Sequence, residues 1–323
     1  PQTALWVAAG LALFTILFGT RNLDANEQHH GVVTAIAVEA VVKLVALLAV
    51  GVFVVWGIAG GVGDILARIA TSPVATWELK PDRWTGLIFC AGAAIITLPR
   101  MFQVLVVENA DERHLAVASW AFPGYLFLMS LFVVPIAVVG LERLPAGTNP
   151  DLFVLALPLA EGQASLAMLA FLGGFSAATS MVIMEAIALA TMLSNHVVMP
   201  LWLSLGRRAA EAGDLRRIVL VARRASIAAV VALGYGYYAM SSGSAGLAAI
   251  GLIAFVGVAQ ILPAMIGGIF WRGATRAGAV AGLSIGFSLW LWTLYLPSFG
   301  PGAVIPAAVF EDGPLGIATL HPR

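Results

Sequence analysis

Four ionisable side chains stand in otherwise apolar surroundings, where each must be neutralised or put to use. Glu39 and Lys43 lie four residues apart, so on a helix they share a face with the acid on the N-terminal side. Two chemistries suit them: a mutually neutralised structural pair, or a gate or coupling pair that breaks as a solute passes. Arg100 belongs to the run Ile95-Ile96-Thr97-Leu98-Pro99-Arg100-Met101-Phe102-Gln103. Pro99 has no N–H to give and disturbs the preceding turn, and Gly86 and Gly92 loosen the stretch before it. A helix broken inside a membrane frees backbone groups that need polar partners, which is where a small solute is held. Thr97, Arg100 and Gln103 flank that break and form the candidate substrate-binding set. A guanidinium there either grips a carboxylate in a bidentate contact or pairs with an acid on another helix. The fourth group, Glu185, follows the small-residue run Gly173-Gly174-Phe175-Ser176-Ala177-Ala178-Thr179-Ser180 and falls seven residues after Ala178, on nearly the same face. It either pairs with Lys43 or Arg100, or carries a proton or cation. The small residues themselves permit close helix packing.

Other reactive side chains point to less. Cys90 is the single cysteine, which excludes an internal disulfide framework and multi-cysteine metal sites. His29 and His30, beside Asp24 and Glu27, read as solvated loop residues rather than metal ligands, and His114 and His196 sit at span ends. No phosphate-binding loop, kinase signature, Ser-His-Asp arrangement or HExxH pattern occurs. The chain therefore offers no catalytic residue and calls for no cofactor.

The elements that must position these groups follow from composition. Of 323 residues, 60% are hydrophobic and 11% charged, whereas soluble domains carry about 25% charged residues. The solvent of most of this chain is lipid. With 17 basic and 17 acidic side chains the net charge is zero, which suggests no nucleic-acid partner. Eight segments approach the roughly 20 apolar residues of a membrane helix: Ala4–Gly19, Gly31–Ile58, Trp84–Val107, Leu115–Gly140, Ala164–Leu193, Ile218–Met240, Gly246–Phe270 and Ala277–Leu296. Alternating strands are nearly absent, so the expected class is an all-α integral membrane protein with about eight transmembrane helices. The loops at Gly60–Arg83 and Leu141–Gln163 have room for short surface helices. Asp64–Ile69 is one candidate, and Asp151–Leu157, between Pro150 and Pro158, is a re-entrant or interfacial one.

Outside Lys43 and Arg100, ten basic residues (Arg21, Arg113, Arg207, Arg208, Arg216, Arg217, Arg223, Arg224, Arg272 and Arg276) fall on one side of these spans. Five (Arg68, Lys80, Arg83, Arg143 and Arg323) fall on the other. The positive-inside rule places the first group in the cytoplasm and both chain ends outside. The chain begins at Pro1 without Met and stops after a polar stretch, as a piece of a longer protein would.

Certain stretches carry a resemblance. Leu23-Asp24-Ala25-Asn26-Glu27-Gln28-His29-His30-Gly31, then Glu39-Ala40-Val41-Val42-Lys43-Leu44, Leu98–Asn109 and Gly173–Thr179 resemble the sodium:solute symporter family. The similarity is to the branch forming the membrane domain of CbrA-type sensor histidine kinases. That resemblance implies a LeuT-like inverted-repeat transporter bundle of thirteen spans, of which residues 1–297 would supply the fifth to the twelfth. Residues 298–323 would be a periplasmic tail or loop leading to a further span. It implies a multi-pass protein of the bacterial inner membrane that takes up or detects an amino acid, histidine being one example. The domain would serve as input to cytoplasmic kinase modules and, through them, a response regulator in two-component signalling. A stand-alone symporter, coupled to sodium or protons and without signalling, is the alternative. In the family, the fifth span here supplies part of a Na⁺ site through two adjacent hydroxyl residues, at the positions of Ala177 and Ala178. Gly174, Ser176, Thr179 and Ser180 surround them, but the hydroxyls point away from the two alanines. Na⁺ needs several hard oxygen ligands, so the resemblance leaves H⁺, carried by Glu185, as the substitute coupling ion.

Overall fold

In a computed structural model, which describes residues 2–19, 30–76, 81–205, 215–241 and 247–302, regular structure is helical throughout. Helix α1 spans Gln2–Gly19, α2 His30–Val52, α3 Val62–Thr71 and α4 Pro81–Thr97, while α5 restarts at Pro99–Phe102. Then come α6 (Arg113–Ser130), α7 (Val133–Arg143), α8 (Phe153–Ala160), α9 (Ala164–Leu193) and α10 (Met199–Leu205). The last are α11 (Leu215–Ser241), α12 (Leu247–Ala259), α13 (Leu262–Phe270) and α14 (Arg276–Trp290). Wider π-helical turns extend α2 through Ile58, α5 through Val107, α9 through Val198 and α14 through Tyr295.

Among the described residues six stretches are long and apolar enough to cross a membrane: Val33–Ile58, Arg113–Arg143, Ala164–Trp202, Ile218–Ser241, Leu247–Phe270 and Arg276–Phe299. A seventh is the pair Arg83–Thr97 and Pro99–Val107, bent by 55°. Thr3–Gly19 is shorter. Each of the eight expected segments is thus helical, with the first short of a full span and the fifth running on to Trp202. Large apolar side chains such as Trp6, Trp120, Leu233 and Phe270 are exposed on these helices, as lipid-facing residues are. The protein is an all-α, multi-pass membrane protein.

Contacts within the chain form two units. One comprises residues 26–79 and 104–184, hence α2, α3, α6, α7, α8 and α9 as far as Met184. Its core is Val50, Val54 and Val55 from α2, Ile65 from α3, Ile136 and Val139 from α7, Phe153 and Leu157 from α8, and Ala170 from α9. The short segment expected at Asp151–Leu157 is a 3₁₀ turn leading into α8, and its Phe153 and Leu157 are buried. Phe153 packs where Gly140 has no side chain, and Phe132 does the same at Gly51. The surface helix expected at Asp64–Ile69 is α3. It starts after Gly60 and Gly61, whose φ values of 84° and 129° are left-handed conformations that other residues rarely adopt. Arg68 donates to Asp64 at 2.8 Å and to Glu142 at 2.7 Å. Those two hydrogen bonds, Asp64's first, raise its pKa further; all three groups are exposed or nearly so, and each pair contributes about 1 kcal/mol at most.

The other unit comprises residues 1–25, 80–103 and 185–323. Here α4 packs on α12 and α1 on α11, with Ala186, Ala190 and Ile227 buried against Ile16 and Val231. The Trp290 indole donates to the Ile253 carbonyl at 2.8 Å and lies over Gly257. Near the end of α14, the ring of Tyr295 stacks on that of Tyr237 and meets Phe299 edge-on, Phe299 lies tilted against Tyr237, and Tyr237 shares a hydrogen bond with Ser298 at 3.0 Å.

Several expected features lie outside the described residues: Arg21, Asp24, Glu27 and His29, Lys80, Arg207 and Arg208, the tail beyond 302, and the side chains of His30, Arg216 and Arg217.

The glycine contacts give a stability test. Gly140→Ala forces a methyl into the Phe153 ring and lowers stability by about 1–3 kcal/mol, read as a drop in the thermal unfolding midpoint in detergent. Gly124→Ala, where a Cβ meets nothing within 4 Å, leaves the midpoint unchanged or slightly higher.

Candidate functional site

The break at Pro99 comes directly from local chemistry. A residue preceding proline is pushed out of the helical region, and Leu98 is extended at φ −68°, ψ 126°. Pro99 then opens α5 at a position where the missing N–H does no harm, but it leaves the Ile95 carbonyl without its helical donor. Thr97, buried at this joint, turns its hydroxyl back to the Ala93 carbonyl at 2.8 Å. Arg100 comes next, and its Nε lies 3.8 Å from a carboxylate oxygen of Glu185, with side chains 21% and 30% exposed respectively. Of the two partners open to Glu185 from sequence, the structure gives it Arg100. The contact is an ion pair but is too long for a hydrogen bond, and the buried Arg100 Nε makes none. Gln103 follows one turn later, half-buried, where the helix widens into its π-helical turn. The structure therefore brings Thr97, Arg100, Gln103 and Glu185 into one unit, with the two charges in contact at a helix break.

The expected Glu39–Lys43 pair does not close. Among the described residues no carboxylate lies within 4 Å of Lys43; its Nζ sits 5.8 Å from the centroid of the Tyr125 ring, and a Glu39 oxygen is buried without a hydrogen-bond partner. The physical reason is a competing contact. An i,i+4 ion pair on a helix is worth about 0.2–0.5 kcal/mol, whereas a cation over an aromatic face gains roughly 0.5–2 kcal/mol as water is removed. Tyr125 is held in place for this, because α6 packs on α2 and the phenol donates to the Ala40 carbonyl at 3.1 Å.

The small-residue run divides in two. A Cβ at Gly173 would lie 2.6 Å from that of Ala46, so this glycine lets α9 approach α2. Gly174 faces open space. Ser176, Thr179 and Ser180 bond back to the carbonyls of Gly173, Ser176 and Ala177 at 3.4, 2.8 and 3.2 Å. Ala177 is half-buried and Ala178 exposed. The three hydroxyls thus satisfy their own helix, as polar side chains in apolar surroundings commonly do.

Gly173 and Gly174 line a cavity of about 430 Å³ together with Lys43, Asp151, Phe171 and Phe175. Its size lies within the range of small-molecule sites, roughly 300–1,000 Å³. One basic and one acidic side chain in an otherwise apolar wall is an arrangement that suits a small zwitterion. Sequence reasoning placed Asp151 in a connecting segment and missed this cavity, because nothing local relates Asp151 to Lys43.

No family model, no curated protein and no solved structure matches this chain.

The contact between Arg100 and Glu185 is checked by a double-mutant cycle. Arg100→Met and Glu185→Gln each leave one uncompensated charge and lower the thermal midpoint, and the double variant recovers part of the loss. The expected coupling is about 0.5–3 kcal/mol. Strictly additive losses would show that the two side chains do not interact.

Proposed function

We propose that this chain is a transporter-like membrane domain of the sodium:solute symporter type, with a LeuT-like repeat architecture, which binds a small amino acid. On that reading it lies in a bacterial inner membrane and serves as the input module of a sensor histidine kinase. The observation that carries the solute-handling part is the broken span at Pro99, with Arg100 held by Glu185 at ion-pair distance and no hydrogen bond between them. A substrate carboxylate competes with Glu185 for the guanidinium and can make the bidentate contact that Glu185 does not. The displaced Glu185 takes a proton rather than remain charged in apolar surroundings, which links solute binding to proton uptake. The cavity between Lys43 and Asp151 supports a zwitterionic solute independently. Coupling to H⁺ rather than Na⁺ is supported by Ala177 and Ala178 and by the inward-bonded hydroxyls beside them. The link to kinase modules rests on the sequence resemblance.

Proteoliposomes containing the protein, loaded to impose either a Na⁺ or a proton gradient, are offered radiolabelled amino acids. The expected result is uptake under the proton gradient that Glu185→Gln abolishes while membrane insertion is unchanged. Binding without uptake under both gradients would make the domain a sensor. Absence of both would remove the solute from the account.

A further inference from the structure

The hairpin of α13 and α14 encloses a cavity of about 380 Å³ that neither helix fills. Its walls are Gly267 and Gly268 on α13 and Gly278 and Gly282 on α14, with Gln260 at the joint before α13 and Trp271 at the connection. Close packing does not account for three of these glycines: a Cβ on Gly267, Gly268 or Gly282 would meet nothing within 4 Å, while Gly278 has only the capping hydroxyl of Thr275 beside it, 3.2 Å from a Cβ. The contrast is internal, since Gly286 on the same helix does have Gln260 against it, 2.5 Å from a Cβ. In the span containing α14, Arg276–Phe299, no residue of the most apolar stretch is buried, so the hairpin lies at the surface of the described chain.

Charge is confined to one end. Between Leu262 and Trp290 the only ionisable residues are Arg272 and Arg276, in and just after the connection. Both are exposed, and among the described residues neither has a carboxylate within 4 Å. Trp271, also exposed, adds the amphipathic ring that favours the boundary between headgroups and hydrocarbon. The positive-inside count places this end at the cytoplasmic leaflet, where anionic lipids attract clustered basic residues.

We propose that the α13–α14 hairpin binds an anionic phospholipid of the cytoplasmic leaflet, one acyl chain in the glycine-lined cavity and the phosphate between Arg272 and Arg276. The missing side chains let a hydrocarbon chain lie against the helix backbones. The guanidinium groups make charge-assisted hydrogen bonds to the phosphate oxygens. A second copy of this chain is the competing occupant, because glycine-rich faces also bring transmembrane helices together. Charge argues against it. A two-fold contact sets the same surface against itself, which here would gather four arginines with no acid on either helix to neutralise them.

The test uses the protein in nanodiscs containing equal amounts of palmitoyl-oleoyl phosphatidylglycerol and phosphatidylcholine, with retained lipid read by native mass spectrometry. The expected result is retention of phosphatidylglycerol in preference to phosphatidylcholine. Arg272→Ala with Arg276→Ala, in an exposed connection, weakens that preference about 30-fold. Arg113→Ala, an exposed arginine outside the cavity, leaves it unchanged. Gly268→Leu with Gly282→Leu fills the cavity and removes the retained lipid, and free glycerol 3-phosphate does not compete. Equal retention of the two lipids, or an unaltered preference in the double-arginine variant, overturns the proposal. So does a Gly268→Leu, Gly282→Leu variant that keeps its lipid but loses a dimer.

Discussion

Hydrocarbon offers no hydrogen-bond partner, and most of the polar detail in these helices answers to that constraint. Thr15, Thr97, Ser130 and Thr293 each bond to a carbonyl four residues back on their own helix. Tyr125 and Trp290 reach further, each donating to a carbonyl of a neighbouring helix. Where a helix loses its regular ladder it widens into a π turn rather than open to lipid. Proline removes a rung outright: Pro123 and Pro158 are carried inside α6 and α8, whereas Pro99 ends one helix and opens the next. At Leu98–Pro99 the chain bends by 55°, and the charged side chain of Arg100 stands directly after the bend. The break and the charge belong together, because a place where backbone groups are already unpaired is where polar side chains and solutes meet least competition from packing.

Three basic side chains show how surroundings decide what holds a cation. Arg68, at the surface, is held by two hydrogen-bonded carboxylates and gains little, since water would serve it nearly as well. Lys43, half-buried, turns to the face of Tyr125 although a glutamate waits one turn away. Arg100 keeps a full counter-charge in Glu185, yet at 3.8 Å and with its Nε unbonded. That looser arrangement is the one a competing anion can enter. A tightly closed bidentate pair would have to be broken first, whereas here donor capacity on the guanidinium is already free.

What could be read from the sequence is what depends on neighbours along the chain. The membrane spans follow from apolar length, the break from Pro99, and the short helix at Asp64–Ile69 from the room in its loop. The Glu39–Lys43 pair stands open for the complementary reason. Spacing puts the two on one helix face but says nothing of Tyr125, which lies 82 residues beyond Lys43 and arrives only when α6 packs on α2. The partner of Glu185 was likewise undecided between Lys43 and Arg100, because both spacings were acceptable and only the fold distinguishes them. Asp151 joined a cavity with Lys43 by the same non-local route. The ordering of reliability is physical: a backbone constraint acts within a turn, while a side-chain contact needs the whole packing.

Glycine makes this plain, since 34 of them look alike in the sequence. Gly51 and Gly140 are occupied by Phe132 and Phe153, so their missing side chains are filled by the chain's own core. Gly173 sits against Ala46 and sets how closely two helices approach. Gly60 and Gly61 serve the backbone alone. Gly267, Gly268 and Gly282 do none of these things, for a Cβ on any of them would meet nothing within 4 Å among the described residues. Glycine in a helix interior costs about 0.5–1 kcal/mol relative to alanine, so three of them on two facing helices impose a penalty that no contact among the described residues offsets. The compensation must come from outside these helices. Arg272 and Arg276, whose chain neighbours Trp271, Gly273 and Thr275 line the cavity, have no carboxylate within 4 Å among the described residues, which is why the occupant proposed above is an anionic lipid.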